Sequence, residues 1–326
     1  MLNDYYKGKK ILVTGGSGSI GHKIVEELLK YDVDVVRVFD NNETALFDLE
    51  HDLNSSKIRL FVGDIRNSKR LKTAFKDVDI VFHAAAYKHV PLCEYNPVDA
   101  VETNVGGTQN IIESAIYCGV EKVVLISTDK AVSPVNVMGA TKLLAERLMI
   151  SSNAYSGYDG TKFSCVRFGN VLNSRGSVIP LFKKQIKKGG PITITDEDMT
   201  RFIMHIHEAA NLILDAGRIT EGGEIFILKM PAVKVTDLAE AMIDYYAPKY
   251  GFNVEDIDVK IIGKRIGEKL NEELMTTDET LFAEETEDLF IIRKEINENH
   301  PNIVYNSSEI EHLSKDEILE VLKEIK

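Results

Sequence analysis

Four consecutive residues, Ser127-Thr128-Asp129-Lys130, carry two hydroxyls, a carboxylate and an amine, and Lys142 adds a second amine twelve residues later. Such groups held together form a candidate acid/base set. An Asp-Lys pair alone usually marks a surface turn. Here it follows directly on the apolar run Lys122 to Ser127, and that position gives it a functional reading. The second chemical signal is Val13-Thr14-Gly15-Gly16-Ser17-Gly18-Ser19-Ile20-Gly21. It satisfies G-x-G-x-x-G through Gly16, Gly18 and Gly21, and G-x-x-G-x-x-G through Gly15, Gly18 and Gly21. Glycines there let the backbone turn tightly and approach a pyrophosphate, whose charge meets a helix N-terminus. The segment follows an apolar strand and opens a helix, as a dinucleotide fingerprint must, which puts Ser19 and Ile20 beside the phosphates.

Asp40 lies nineteen residues beyond Gly21, at the end of the next apolar run and ahead of Asn41. A carboxylate there accepts from the adenosine ribose hydroxyls and repels a 2′-phosphate, and no Lys or Arg follows closely. The expected cofactor is therefore NAD. Asp64, in Gly63-Asp64-Ile65-Arg66, is placed for the adenine edge, with a helix N-cap as its plain alternative. Ala84 and Ala85, at the end of a further strand, let a cofactor lie close, and Lys88 adds a cation to the same cleft. His83 and His89 read as structural. No metal-ligand spacing is present, and Cys93, Cys118 and Cys165 are too scattered for a disulfide framework or a zinc site.

These groups must be carried by strand ends. Apolar runs at Lys10–Thr14, Val33–Phe39, Ile58–Val62, Asp79–His83, Lys122–Ser127 and Phe163–Arg167 alternate with helical patterns at Ser19–Tyr31, Thr44–Leu53, Ser68–Phe75, Pro97–Cys118 and Val137–Tyr155. That alternation predicts an α/β fold, a doubly wound parallel sheet of Rossmann type. Residues 1–169 form the expected dinucleotide-binding domain, and 170–326 a smaller lobe, with the chain crossing between them more than once. With 39 Lys and Arg against 51 Asp and Glu, the net charge of −12 argues against nucleic-acid or membrane partners but leaves room for an anionic small ligand. The N-terminus has no apolar signal core and no long apolar run follows, so the expected location is cytoplasmic.

The glycine fingerprint, Asp64, Asn104 and a strand-end Ser127 ahead of a Lys142 helix resemble the extended short-chain dehydrogenase/reductase superfamily. Most members carry Tyr-x-x-x-Lys; here the position reads Met138-Gly-Ala-Thr-Lys142, and Met cannot transfer a proton. His83-Ala-Ala-Ala-Tyr-Lys-His-Val-Pro91, Ser127-Thr-Asp-Lys-Ala-Val-Ser-Pro134 and the Met138 segment are similar to UDP-N-acetylglucosamine 4,6-dehydratases of polysaccharide and glycan biosynthesis. Arg167-Phe-Gly-Asn170, Ser174-Arg175-Gly-Ser177-Val178, Met199-Thr-Arg201-Phe202 and Gly267-Glu268-Lys269-Leu270 match the same group, so the likeness spans about residues 8–275.

The resemblance implies NAD as cofactor, UDP-N-acetylglucosamine as substrate and a homo-oligomer. It implies oxidation at carbon 4 of the sugar, loss of water across carbons 5 and 6, and return of hydride to carbon 6. In that cycle a neutral Lys130 removes the carbon-5 hydrogen and a protonated Asp129 donates to the leaving hydroxyl, which needs a lowered Lys pKa and a raised Asp pKa. Lys142 binds the nicotinamide ribose. With Met138 in the Tyr position, the base for the carbon-4 hydroxyl is Thr128, Asp129 or an ordered water. Asn104 and Ser127 join the cofactor contacts. Asn170, Arg175, Ser177, Val178, Arg201 and Arg265 surround the UDP moiety, and Glu268 accepts from its ribose or orders a neighbouring arginine. The rivals are a nucleotide-sugar 4-epimerase, which normally wants the tyrosine, and a non-catalytic NAD-binding regulator, which would not need Thr-Asp-Lys.

Overall fold

The computed structural model describes residues 2–157 and 159–325. The six apolar runs become strands β1 (Lys10–Thr14), β2 (Val35–Asp40), β3 (Ile58–Val62), β4 (Ile80–His83), β5 (Lys122–Ile126) and β6 (Lys162–Arg167). They pair in parallel in the order 3-2-1-4-5-6. Helices cover both faces, so Leu12, Val13, Val81, Phe82, Val123 and Val124 are all fully buried although they alternate in direction. The order reverses between β1 and β4, and the crevice at that switch point is where such sheets take ligands.

Beyond Gly169 come β7 (Asn170–Val171), β8 (Ile192–Ile194), β9 (Thr200–Met204), β10 (Ile225–Leu228), β11 (Ala232–Lys234), β12 (Val259–Ile261), β13 (Ala283–Glu285) and β14 (Leu289–Ile292). The chain returns to the large sheet twice: β10 lies parallel to β6, then β14 and β13 close that edge antiparallel. The remaining strands form a three-stranded sheet, β11-β9-β7, and the pair β12-β8. Beside them a separate core joins Ile179 and Phe182, Leu238 and Met242, and Ile318 and Leu322 from three helices.

Two expected helices are interrupted. Pro97–Cys118 is broken by a π-helical turn at Glu102–Gly106, which turns Asn104 inward to bond Tyr87 and Thr141. Gly107 follows because a Cβ there would collide with Ile65. The helix expected over Val137–Tyr155 stops at Ser151, since the Ser152 hydroxyl and Asn153 amide bond the preceding carbonyls Leu148 and Ile150.

Arg167, at the end of β6, is buried and saturated. It donates to Glu146 on the helix Val137–Ser151 at 2.9 and 2.8 Å, and to Glu279 at 2.8 and 2.9 Å. Both carboxylates hold its guanidinium charged, and Arg167 holds Glu279 below the usual carboxylate range against the opposing effect of burial. Arg167→Met should leave Glu146 buried without its cation and cost about 3–5 kcal/mol of folding stability. Urea unfolding of the variant checks this; a loss under about 1 kcal/mol would show that the triad contributes nothing net.

Candidate active site

A cavity of about 990 Å³ opens at the switch point. Its floor is the turn between β1 and the helix Ser19–Leu28. Gly15 has a positive φ of 65°, and a Cβ there would lie 2.6 Å from the Ala85 backbone. A Cβ on Gly21 would collide with the carbonyl of Gly15, so the helix packs down on the turn only without a side chain. No side chain caps the helix at Gly18, which leaves its first amides to a ligand. Gly15, Gly18, Ser19, Ile20 and Gly21 all line the cavity.

Asp40 and Asn41 line it at the end of β2. Asp40 accepts from the backbone amides of Ser17 (3.1 Å) and Asn42 (3.0 Å), so one carboxylate fixes both turns beside the cavity. Asp64 and Ile65 also line it. The N-cap alternative for Asp64 is overturned: Asn67 caps the helix Ser68–Phe75, while Asp64 chelates Arg66 at 3.1 and 2.7 Å, which lowers its pKa. Ala84, Ala85 and Lys88 are on the wall as expected, and burial lowers the Lys88 pKa. Asn104 is not on the wall. Its amide is consumed by the Tyr87 backbone and the Thr141 hydroxyl, so it shapes the loop after β4 from behind. His83 is structural: buried between the Thr14 and Thr108 hydroxyls, its pKa is pushed down to about 3.

The segment after β5 carries the candidate acid/base groups. Ser127, Thr128, Lys130, Met138 and Lys142 line the cavity, and the buried Ser127 Oγ has no partner. Asp129 lies one layer back, fully buried. The Thr128 hydroxyl donates to Asp129 Oδ1 at 2.7 Å and Lys130 Nζ donates to the same oxygen at 2.8 Å. The expectation of a neutral Lys130 needs correction for this geometry: burial opposes the charge, but Asp129 and Glu272 outweigh it and raise the pKa, so Lys130 is an ammonium. Lys142 behaves oppositely. Burial lowers its pKa to about 8, and its Nζ donates to the Ile126 carbonyl at 2.6 Å. The helix that carries Met138 and Lys142 can approach the Asp129–Ala131 turn because residue 139 is glycine; a Cβ there would collide with the Lys130 carbonyl.

From the smaller lobe, Asn170, Arg175 and Ser177 reach the cavity. The strap that carries Arg175 is fastened on both sides, since its amide donates to Ser19 Oγ (3.0 Å) and its carbonyl accepts from Lys88 (2.7 Å). Val178, Arg201, Arg265 and Glu268 do not line the cavity. Val178 packs on the smaller core, and Arg265 is exposed. The Arg201 guanidinium is spent on the carbonyls of Thr200, Leu270 and Lys269, with Glu268 at 4.0 Å.

The sequence profile described as "Polysaccharide biosynthesis protein" matches residues 11–294. The chain belongs to the polysaccharide biosynthesis protein family. A family relative from Methanocaldococcus jannaschii, described as an uncharacterized membrane protein, is 61% identical over 99% of this chain and 98% of its own length. A UDP-N-acetylglucosamine 4,6-dehydratase (inverting) of Campylobacter jejuni is 42% identical over 89% of this chain and 84% of its own. A UDP-glucose 4-epimerase of Rickettsia bellii is 41% identical over 85% and 80%. Among solved structures, Pen from Bacillus thuringiensis superposes with a TM-score of 0.94 at 45% identity, covering 99% of both chains. The Thermus thermophilus UDP-glucose 4-epimerase in complex with NAD gives 0.67 at 26% identity, covering 80% of this chain and 88% of its own. Among the described residues no helix is long and apolar enough to cross a membrane.

One residue of this family member's site has no sequence signal. Glu272 is buried beside Lys130 and Arg201. It sits in an irregular loop without periodicity, and only the fold carries it to the end of β5.

Proposed function

We propose that the protein dehydrates UDP-N-acetylglucosamine at carbons 4 to 6, with NAD as resident cofactor. The observation that carries this reading is the pair Thr128 and Lys130 on the cavity wall, both hydrogen-bonded to the buried Asp129 behind them, beside Met138 in place of the usual tyrosine. The cavity fits the cofactor: open helix amides, a glycine turn packed too tightly for a Cβ at Gly15 or Gly21, and the unpartnered Ser127 hydroxyl. Gly15, Gly18, Ser19, Ile20 and Gly21 would hold its phosphates, Asp40, Asn41, Asp64 and Ile65 its adenosine, and Ala84, Ala85, Ser127 and Lys142 its nicotinamide half. When bound, NAD supplies a reversible hydride acceptor.

The protein's own part is proton traffic. Thr128 faces the cavity and Asp129 does not, so the proton of the carbon-4 hydroxyl reaches Asp129 by way of Thr128 Oγ1. The Lys142 charge stabilises the alkoxide that develops there. Lys130 removes the hydrogen from carbon 5, which the neighbouring ketone acidifies. Asp129, protonated by the first step, donates to the leaving hydroxyl of carbon 6. Lys88, Asn170, Arg175 and Ser177 suit the UDP end, because charge-assisted donors match phosphate oxygens.

The 4-epimerase reading has the Rickettsia bellii relative in its favour; Met138 weighs against it. Incubation of the purified protein with UDP-N-acetylglucosamine separates the two. Loss of one water mass supports dehydration, a product of unchanged mass supports epimerisation, and unchanged substrate overturns both. On the cofactor side, Asp40→Ala should weaken NAD retention at least tenfold, since a ribose-to-carboxylate bond of about 1.5–3 kcal/mol is lost. The check is NAD released on denaturing the dialysed variant; wild-type content would remove Asp40 from the ribose site.

A further inference from the structure

The dehydration cycle leaves one proton without a place. Lys130 is an ammonium between carboxylates, yet it must be an amine before it can take the carbon-5 hydrogen. Glu272 is a second carboxylate beside Lys130, with Oε1 3.7 Å from Nζ, and its side chain is 3% exposed. Its Oε2 has no partner, and neither has Asp129 Oδ2. The loop is pinned in this place: the Glu272 amide donates to Ser307 Oγ at 2.9 Å and its carbonyl accepts from the Ser307 amide.

We propose that Glu272 is the positioning residue that accepts the Lys130 proton, making Lys130 the base for carbon 5 without exchange to bulk water. The inference rests on the dehydratase reading above. Oxidation delivers a proton to Asp129 and so removes one of the two charges that hold the ammonium. The Lys130–Glu272 pair then faces one charged carboxylate fewer, and a neutral amine and carboxylic acid compete with an ion pair because burial penalises both charges. One N–H bond breaks at Nζ and one O–H bond forms at Glu272. Lys130 next takes the carbon-5 proton, Asp129 gives its own to the departing water, and Lys130 returns a proton to carbon 5 as hydride reaches carbon 6. Glu272 finally hands its proton back to Lys130. No proton is gained or lost beyond the water released.

Other charges face the pair. Arg201 Nε stands 3.9 Å from Glu272 and lowers the pKa of both partners, so it does not set the direction, while Lys88 across the cavity adds positive potential that favours loss of the Lys130 proton. Lys269 is turned aside to the Val132 carbonyl. Burial is the largest influence on the Glu272 pKa and raises it, which suits a proton acceptor once Asp129 is neutral.

Glu272→Gln keeps the shape and the Ser307 bonds but cannot take the proton. Competitive acylation of the intact protein, read at Lys130 by mass spectrometry, reports the amine without any turnover. Loss of the facing charge should make Lys130 about tenfold more reactive at a fixed pH below its pKa. Turnover of UDP-N-acetylglucosamine should be near pH-independent around neutrality in the wild type, and should rise about tenfold per pH unit in Glu272→Gln, because the Lys130 proton must then leave to solvent. Glu272→Asp, which keeps the carboxylate, should restore the flat profile, and Glu272→Ala replaces the Gln variant if that one fails to fold. Unchanged acylation of Lys130, or parallel pH profiles at a uniformly lower rate, overturns the proposal. If the wild type leaves the nucleotide sugar unchanged, the dehydratase reading fails, while the acylation result still decides whether Glu272 governs the Lys130 proton.

Discussion

Lys130→Gln should convert the sugar to its 4-keto form and stop there, with net dehydration reduced about 10²–10⁴-fold, the span general-base removal commonly supplies. Glutamine keeps a donor for Asp129 Oδ1, which Lys130 approaches to 2.8 Å, so the buried carboxylate stays bonded. In the proposed cycle oxidation at carbon 4 asks for Thr128, Asp129 and Lys142, none of which is altered. The measurement is product mass together with solvent deuterium at carbon 5. Near-normal water loss would remove Lys130 from the mechanism. Deuterium entering carbon 5 at the wild-type rate, with water loss abolished, would place Lys130 after proton removal.

The parts of this site that could be read from the sequence are those fixed by local physics. A glycine turn between an apolar run and a helix has few other uses, and Gly15, Gly18 and Gly21 sit where a Cβ would meet backbone. The strand ends that carry Asp40, Ala84 and Thr128 follow from six apolar runs, because parallel pairing brings all their carboxyl ends to one edge of the sheet. Long-range partnerships were less legible. Arg201 and Glu268 come from motifs that match a nucleotide-sugar site, yet Arg201 spends its donors on three backbone carbonyls and neither side chain lines the cavity. Asn104 is another such case, since a π-turn that no periodicity announces turns its amide onto the loop after β4. The Lys130 charge depends on Glu272, 142 positions away along the chain. Burial and charge there are set by which loops the tertiary fold brings together.

Asp129→Asn should be the more severe change, because in the proposed cycle the same carboxylate serves two steps. Its Oδ1 accepts the Thr128 hydroxyl at 2.7 Å, and in the proposed cycle the carbon-4 proton arrives through that hydroxyl, as Asp129 is fully buried and off the cavity wall. Asparagine preserves the volume and one acceptor, so the fold and cofactor retention should hold. It cannot bind the proton from the first step, nor donate one in the second. The variant should therefore fail at oxidation: no 4-keto sugar, no deuterium at carbon 5, and turnover down by about 10²-fold or more, as for loss of one general base. This separates it from Lys130→Gln, which passes the first step. Thr128→Val should reproduce the same block while leaving Asp129 in place, since it removes the relay and keeps the branched shape. If Asp129→Asn accumulated the 4-keto sugar as freely as Lys130→Gln, the carbon-4 proton would have another acceptor and Asp129 would act in the elimination alone.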